Sequence, residues 1–206
     1  MAITNYAELQ AAVSNWLHRA DLTTIIPDFI SLAEADINGR LRVRGMETST
    51  AVTATGGTRA IALPSGWLQG RRAYIDTNPI QHLEYLSPQD YWSRYVSTES
   101  GLPKCHTIEG ENMLLGPIPD SGRVVQMLYY ARPSPLSVDV NAMFTANPDL
   151  YLYGALVAAE PYLKNDRRMP LWRAQYDAII ARVESGDSRD RASASVLQVR
   201  TDYQVV

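Results

Sequence analysis

The chain has 206 residues, with 19 Lys and Arg against 22 Asp and Glu, a formal charge of −3. Hydrophobic residues at 46% and charged residues at 20% are the composition of a globular protein, not a disordered one. Weak acidity counts against a protein whose main task is gripping phosphate backbones. The single cysteine, Cys105, excludes an intramolecular disulfide and a multi-cysteine zinc site. No run approaches the ~20 apolar residues of a membrane span, and no basic stretch leads into an apolar one at the start, so no secretory signal is read and synthesis in the cytoplasm is expected. Tyrosine outnumbers phenylalanine 12 to 2, which suits both half-buried strands and subunit contacts.

The first helix is signalled by Asn5 as cap, with Glu8 three residues on. Tyr6, Leu9, Val13, Trp16, Leu17 and Ala20 then follow the helical period. Asp21 to Thr24 breaks that pattern. Pro27 opens a second helix, where its missing N–H costs nothing, and its stripe is Phe29, Ile30, Ala33, Ile37 and Leu41, with Gly45 just past its end. From Met46 the period shortens. Thr48 to Thr55 and Arg59 to Leu63 are expected to form a hairpin through Gly56-Gly57, since glycine takes positive φ without strain. Further strands are expected at Arg71 to Ile75, Ile80 to Leu86, Lys104 to Glu109, Asn112 to Leu115 and Arg123 to Ala131. A short helix capped by Ser87, with Pro88 first and Asp90 in its first turn, interrupts them.

Arg132 to Leu136 is punctuated by proline and leads out of the β region. Asn147 and Pro148 open a third helix that is apolar almost all round from Leu150 to Leu163, so it should be buried centrally, with Pro161 kinking it or ending its regular part. Asp166 is expected to cap a fourth helix with the stripe Trp172, Tyr176, Ile179, Ile180 and Val183, ended by Gly186. The expected fold class is α+β: an antiparallel helical bundle (1–44 and 147–186), an inserted antiparallel β region with one short helix (46–136), and an extended C-terminal arm (187–206). That arm finishes in the β-prone residues Val196, Leu197, Val199, Tyr203, Val205 and Val206.

Catalytic motifs are scarce. The nucleophile elbow, the phosphate loop, the dinucleotide fingerprint and the zincin pair are all absent from the sequence. Cys105 and His106 are strand neighbours that face opposite sides, a poor metal pair, and no metal or cofactor is expected. Paired acids hydrolyse glycosides; here the pairs are Glu109 with Glu111 across a turn glycine and Glu34 with Asp36 on a helix. Asp36 has a ready partner in Arg40 four residues on. Arg40, Arg42 and Arg44 make the densest basic cluster, which the helix C-terminal dipole partly explains. It is also a candidate docking patch for an acidic partner.

The order of motifs resembles the head-to-tail adaptor (connector) proteins of tailed bacteriophages. The stretch from Ile26-Pro27-Asp28-Phe29-Ile30 through Leu32-Ala33-Glu34, Ile37, Arg40-Leu41-Arg42 and Met46-Glu47 is similar to that family's opening. Leu63-Pro64-Ser65-Gly66-Trp67-Leu68 and Leu114-Leu115-Gly116-Pro117-Ile118-Pro119-Asp120 fit its β region. Tyr129-Tyr130-Ala131, Pro133 and Pro135-Leu136-Ser137 fit the exit, and Pro148-Asp149-Leu150-Tyr151-Leu152-Tyr153-Gly154-Ala155-Leu156, Pro161-Tyr162-Leu163-Lys164 and Trp172 follow. The resemblance implies a non-enzymatic virion protein at the head–tail junction. Its partners would be the portal protein, a tail nozzle or tube protein and further copies of itself, in a twelvefold ring around the DNA channel. It implies neither sequence-specific nucleic-acid binding nor membrane association. Relatives typically reach toward the portal with the C-terminal segment, which makes Val196, Leu197, Val199, Tyr203, Val205 and Val206 docking candidates beside Arg40, Arg42 and Arg44. Other readings are a tail-completion ring protein and a phage-tail hydrolase using a carboxylate pair.

Overall fold

A computed structural model describes residues 3–96, 99–163 and 168–192. In chain order, α1 (Tyr6–Leu17) and α2 (Ile26–Arg40) come first. The strands follow: β1 (Glu47–Ala54), β2 (Ala60–Ala62), β3 (Trp67–Ile75), β4 (Gln81–His82) and β5 (Glu84–Tyr85). After α3 (Pro88–Arg94) come β6 (Ser100–Gly101), β7 (Cys105–Glu109), β8 (Asn112–Gly116), β9 (Ile118–Pro119) and β10 (Arg123–Ala131). The last helices are α4 (Ala142–Ala146), α5 (Pro148–Leu163) and α6 (Met169–Ala192). The chain is mixed α and β with largely antiparallel sheets. It divides into two compact units, Met1–Val43 with Ser134–Val206, and Arg44–Pro133.

In the helical unit, α1 starts where Asn5 Oδ1 accepts the Glu8 N–H at 2.9 Å. The Glu8 carboxylate reaches back to the Thr4 N–H and hydroxyl at 2.7 and 2.8 Å, and those bonds hold its pKa below the usual carboxylate value. Leu9, Val13 and Leu17 are buried, whereas Trp16 is 42% exposed and sets its ring edge against Tyr153 at 5.5 Å. In α2 the whole stripe of Phe29, Ile30, Ala33, Ile37 and the following Leu41 is buried.

Helix α5 packs chiefly on α2 and α6, with α1 adding a smaller contact. Residues from several sides of α5 are buried, including Leu150, Tyr151, Ala155, Leu156 and Ala159, as an all-round apolar helix requires. The closest approach is at Gly154. A Cβ there would lie 3.0 Å from the Ala33 Cβ and 3.1 Å from the Tyr176 ring, so α2 and α6 crowd one glycine from two sides. Pro161 lies inside α5, whose described residues run to Leu163. The short α4, which periodicity missed, is capped by the Asn141 side chain accepting from the Phe144 N–H at 2.8 Å, and it buries Met143 and Phe144.

Gly186 does not end α6, which continues to Ala192. A glycine inside a helix costs about 1 kcal/mol relative to alanine, and local bonds recover part of that here. Arg191 Nε meets Asp187 Oδ2 at 2.6 Å, and Arg189 Nε donates to the Ser185 carbonyl at 3.3 Å. The expected arm therefore does not start at Asp187, because its first six residues, 187–192, are helical. The expected cap Asp166 lies outside the described residues, as do Val196, Leu197, Val199, Tyr203, Val205 and Val206.

In the β unit one sheet has the order β1-β10-β3-β4 and a second the order β2-β8-β7-β5, with β6 and β9 paired separately. Two short pairs, β5 with β7 and β6 with β9, are parallel, so the unit is not wholly antiparallel as expected. The expected strand over Ile80 to Leu86 is split, β4 pairing with β3 and β5 with β7, with Leu83 buried between them. The expected hairpin across Gly56-Gly57 is replaced by a crossing between sheets: β1 pairs with β10 and β2 with β8. The glycines serve the crossing itself. Gly57 sits at φ 78° and donates its N–H to the Pro119 carbonyl at 2.8 Å, and a Cβ on Gly56 would come within 2.9 Å of the Ser121 backbone. Between the sheets lie Ile61, Ile75, Leu83, Met113, Val125 and Met127, with Trp67 stacked on Tyr129 at 4.6 Å. A smaller cluster forms around Tyr91, whose hydroxyl donates to the Leu115 carbonyl at 2.7 Å.

Candidate docking surfaces

Arg40 lies in an acid–base lattice between α2 and α6. Its guanidinium meets Asp36 at 3.1 Å and Asp177 at 3.0 Å, and sits 5.6 Å from the centre of the Tyr176 ring. Tyr176 in turn donates its hydroxyl to Asp36 Oδ2 at 2.8 Å. Burial and that bond to a carboxylate push the tyrosine pKa well up, so it stays a donor. Arg42 turns back on its own helix: Nη1 donates to the carbonyls of Asn38 and Leu41 at 2.7 and 2.6 Å, satisfying C-terminal groups of α2. Arg44 is exposed and opens the 3-10 turn Arg44–Met46, in the other unit. The three arginines that look alike in sequence thus have three different settings, and much of their charge is spent within the fold.

Three of the four carboxylates considered for hydrolysis have structural partners. Asp36 is held by Arg40 and Tyr176. Glu34 is half-buried and accepts the Leu136 N–H at 2.8 Å; burial raises its pKa above the usual carboxylate value. Glu109 accepts from the Trp92 indole and faces Asn112 across the ladder, with Glu111 exposed in the turn between them. Burial raises the Cys105 thiol pKa, which makes it a poor nucleophile. Among the described residues no group of three His, Cys, Asp or Glu side chains could hold a metal ion. No described helix is long and apolar enough to cross a membrane.

Two features of the β unit were not read from the sequence. One is a cleft of about 860 Å³ lined in part by Trp67, Arg72, His82, Tyr85, His106 and Met113. His106 is buried there with Nδ1 unbonded and its ring edge-on to Tyr85 at 5.6 Å; burial lowers its pKa. Neither strand carries a local signal for the cleft, which is lined by residues of β3 and β7 from different sheets. The other is the outer edge of β1. The eight residues Glu47–Ala54 pair with β10 on one side, and among the described residues no strand pairs on the other. Its signal was the absence of Lys, Arg, Pro and Gly from an eight-residue strand.

A family model described as SU10 adaptor protein matches residues 4–200. A comparison with curated proteins finds no match.

Proposed function

The chain belongs to the SU10 adaptor protein family, a bacteriophage structural family, and from that membership we propose a ring beneath the portal that joins the capsid vertex to the tail. The observation that carries the reading is the extent of the match, which takes in both units and not one motif. Twelve copies, matching the portal, would surround the DNA channel. A net charge of −3 suits such a wall, because a strongly basic lining would neutralise phosphates and retard the passing genome. The chain's partners are then the portal, a tail nozzle or tube protein, and its own copies. The docking elements are Val196, Leu197, Val199, Tyr203, Val205 and Val206, with Arg40, Arg42 and Arg44 as the second set, of which Arg40 and Arg44 are exposed.

Assembly tests this directly. Phage carrying a disrupted copy of this coding sequence should fill heads with DNA yet yield no tailed particles, and the purified protein added to such an extract should restore tailing. Tailed, infectious particles formed without the protein would overturn the reading. The structure moves the informative truncation to the residue after Ala192, since a cut after Gly186 would remove the last turns of α6. The shortened chain should stay folded and lose co-sedimentation with purified portal.

A further inference from the structure

We propose that residues 196–206 of one copy add as a strand to the outer edge of β1 in a neighbouring copy. The proposal rests on the ring reading above.

The edge itself is the first observation. Most other sheet edges among the described residues are two or three residues long: β4 in the first sheet, β2 and β5 in the second, and the β6–β9 pair. Short edges of that kind are one of the ways proteins prevent unwanted pairing. The longer stretch that β4 leaves unpaired, residues 67–72 of β3, is interrupted by Gly70, carries Arg71 and Arg72, and lies where the register against β10 shifts. β1 is eight residues long, and its one charged residue, Glu47, stands at its first position, paired with Arg71. It has no lysine, proline or glycine, and its register against β10 runs from Glu47↔Tyr130 to Ala54↔Arg123 without a shift. The β10–β3 ladder in the same sheet, by contrast, is interrupted twice.

The second observation is the burial gradient on that sheet. Val125, Met127 and Tyr129 of β10 are buried on the core side. Their partners in β1 are Val52, Thr50 and Thr48, of which the first two are half-buried and the last is exposed. The core side of the sheet thus runs out at β1 with its cover incomplete. On the opposite side Ser49, Ala51 and Thr53 are all exposed.

The occupant follows from the sequence beyond Ala192, where 206 − 192 = 14 residues remain. In an extended chain Leu197, Val199, Thr201, Tyr203 and Val205 would share one face, every one of them apolar, aromatic or β-branched. The opposite face would carry Gln198, Arg200, Asp202 and Gln204, with Val196 and Val206 at its two ends. That two-faced pattern matches the sheet it would extend: the first set would continue the uncovered core side, the second the polar side. Eleven residues at about 3.3 Å each span roughly 36 Å, enough to run the length of an eight-residue strand. Backbone bonds along such an edge supply affinity and the alternating side chains supply register.

Cysteine pairs test the proposal through parity. In a Cys105→Ala background, Ser49→Cys is combined with single cysteines at each position from 197 to 205, and the protein is assembled on purified portal and oxidised. Thr53→Cys serves as a second anchor, and both sites are exposed. The expected result is a ladder of disulfide-linked multimers on a non-reducing gel from even-numbered positions such as Gln198, Arg200, Asp202 or Gln204, with odd-numbered positions silent. Crosslinks confined to single polypeptides, or equal crosslinking at every position, would overturn the exchanged strand. Rings that form on the portal with no crosslink would overturn it and leave the ring reading standing, whereas neither rings nor crosslinks would overturn both.

Discussion

If α2 and α6 really close on Gly154, the same substitution made at two glycines should have opposite signs. A methyl at position 154 would lie 3.0 Å from the Ala33 Cβ and 3.1 Å from Tyr176 Cε2. Carbon atoms prefer about 3.5–4.0 Å, so both neighbours must retreat by a few tenths of an ångström. Overpacking of this kind costs about 1–3 kcal/mol, against which alanine recovers about 1 kcal/mol of helix propensity. Gly154→Ala should therefore destabilise the helical unit by about 1 kcal/mol. At Gly186, also inside a helix, nothing lies within 4 Å of the added methyl. Only the propensity gain applies there, so Gly186→Ala should stabilise by about 1 kcal/mol. The two variants should then differ by about 2 kcal/mol, or about 4–8 °C in melting midpoint for a protein of this size. Thermal melts followed by circular dichroism at 222 nm read the difference. A Gly154→Ala protein melting at or above wild type would refute the close approach, and a Gly186→Ala protein melting below wild type would refute the continuous α6.

Trp172→Ala should cost about 3–5 kcal/mol by leaving a cavity in the α6 face, since Trp172 is buried; an unchanged urea midpoint would contradict that packing. Tyr176→Phe removes the donor to Asp36 and should cost about 1 kcal/mol, while Tyr176→Phe in an Asp36→Ala background should cost less, as a double-mutant cycle would show. The pKa of His106 is lowered by burial from a reference of 6.5, so the unfolded state takes up its proton first as pH falls. Stability from this residue is fully present above about pH 6.5 and declines as pH drops through the range down to its folded value. Unfolding midpoints measured from pH 7.5 to 5 should fall for wild type and fall less for His106→Leu; equal slopes would show that the imidazole does not titrate in this way.

The longer helices and α3 were legible because each carries its own signals: Asn5 before α1, Pro27 in α2, Ser87 and Pro88 at α3, and stripes that reappear as buried faces; the five-residue α4 is too short to show a period. Family membership was legible for a related reason, since the order of proline, glycine and tyrosine motifs survives where no single motif is specific. The β pairing was not. Gly56-Gly57 makes a good local hairpin signal, but the preference of β1 for β10 depends on a core assembled from residues far apart in the chain. Gly186 was misread as the stop of α6 because a glycine costs a helix only about 1 kcal/mol, which the rest of a long helix tolerates. Arg40, Arg42 and Arg44 showed the sharpest limit. Their spacing announced a basic patch, and only the fold shows that Arg40 is engaged by Asp36, Asp177 and Tyr176 while Arg42 closes its own helix.

The central claim is that this chain forms a ring matched to the portal, and the copy number of the complex tests it most directly. Purified portal incubated with excess protein and weighed by native mass spectrometry should show a single dominant species carrying twelve copies of the chain per portal. Absence of any stable complex, or saturation at a number unrelated to the portal's own symmetry, would contradict the account.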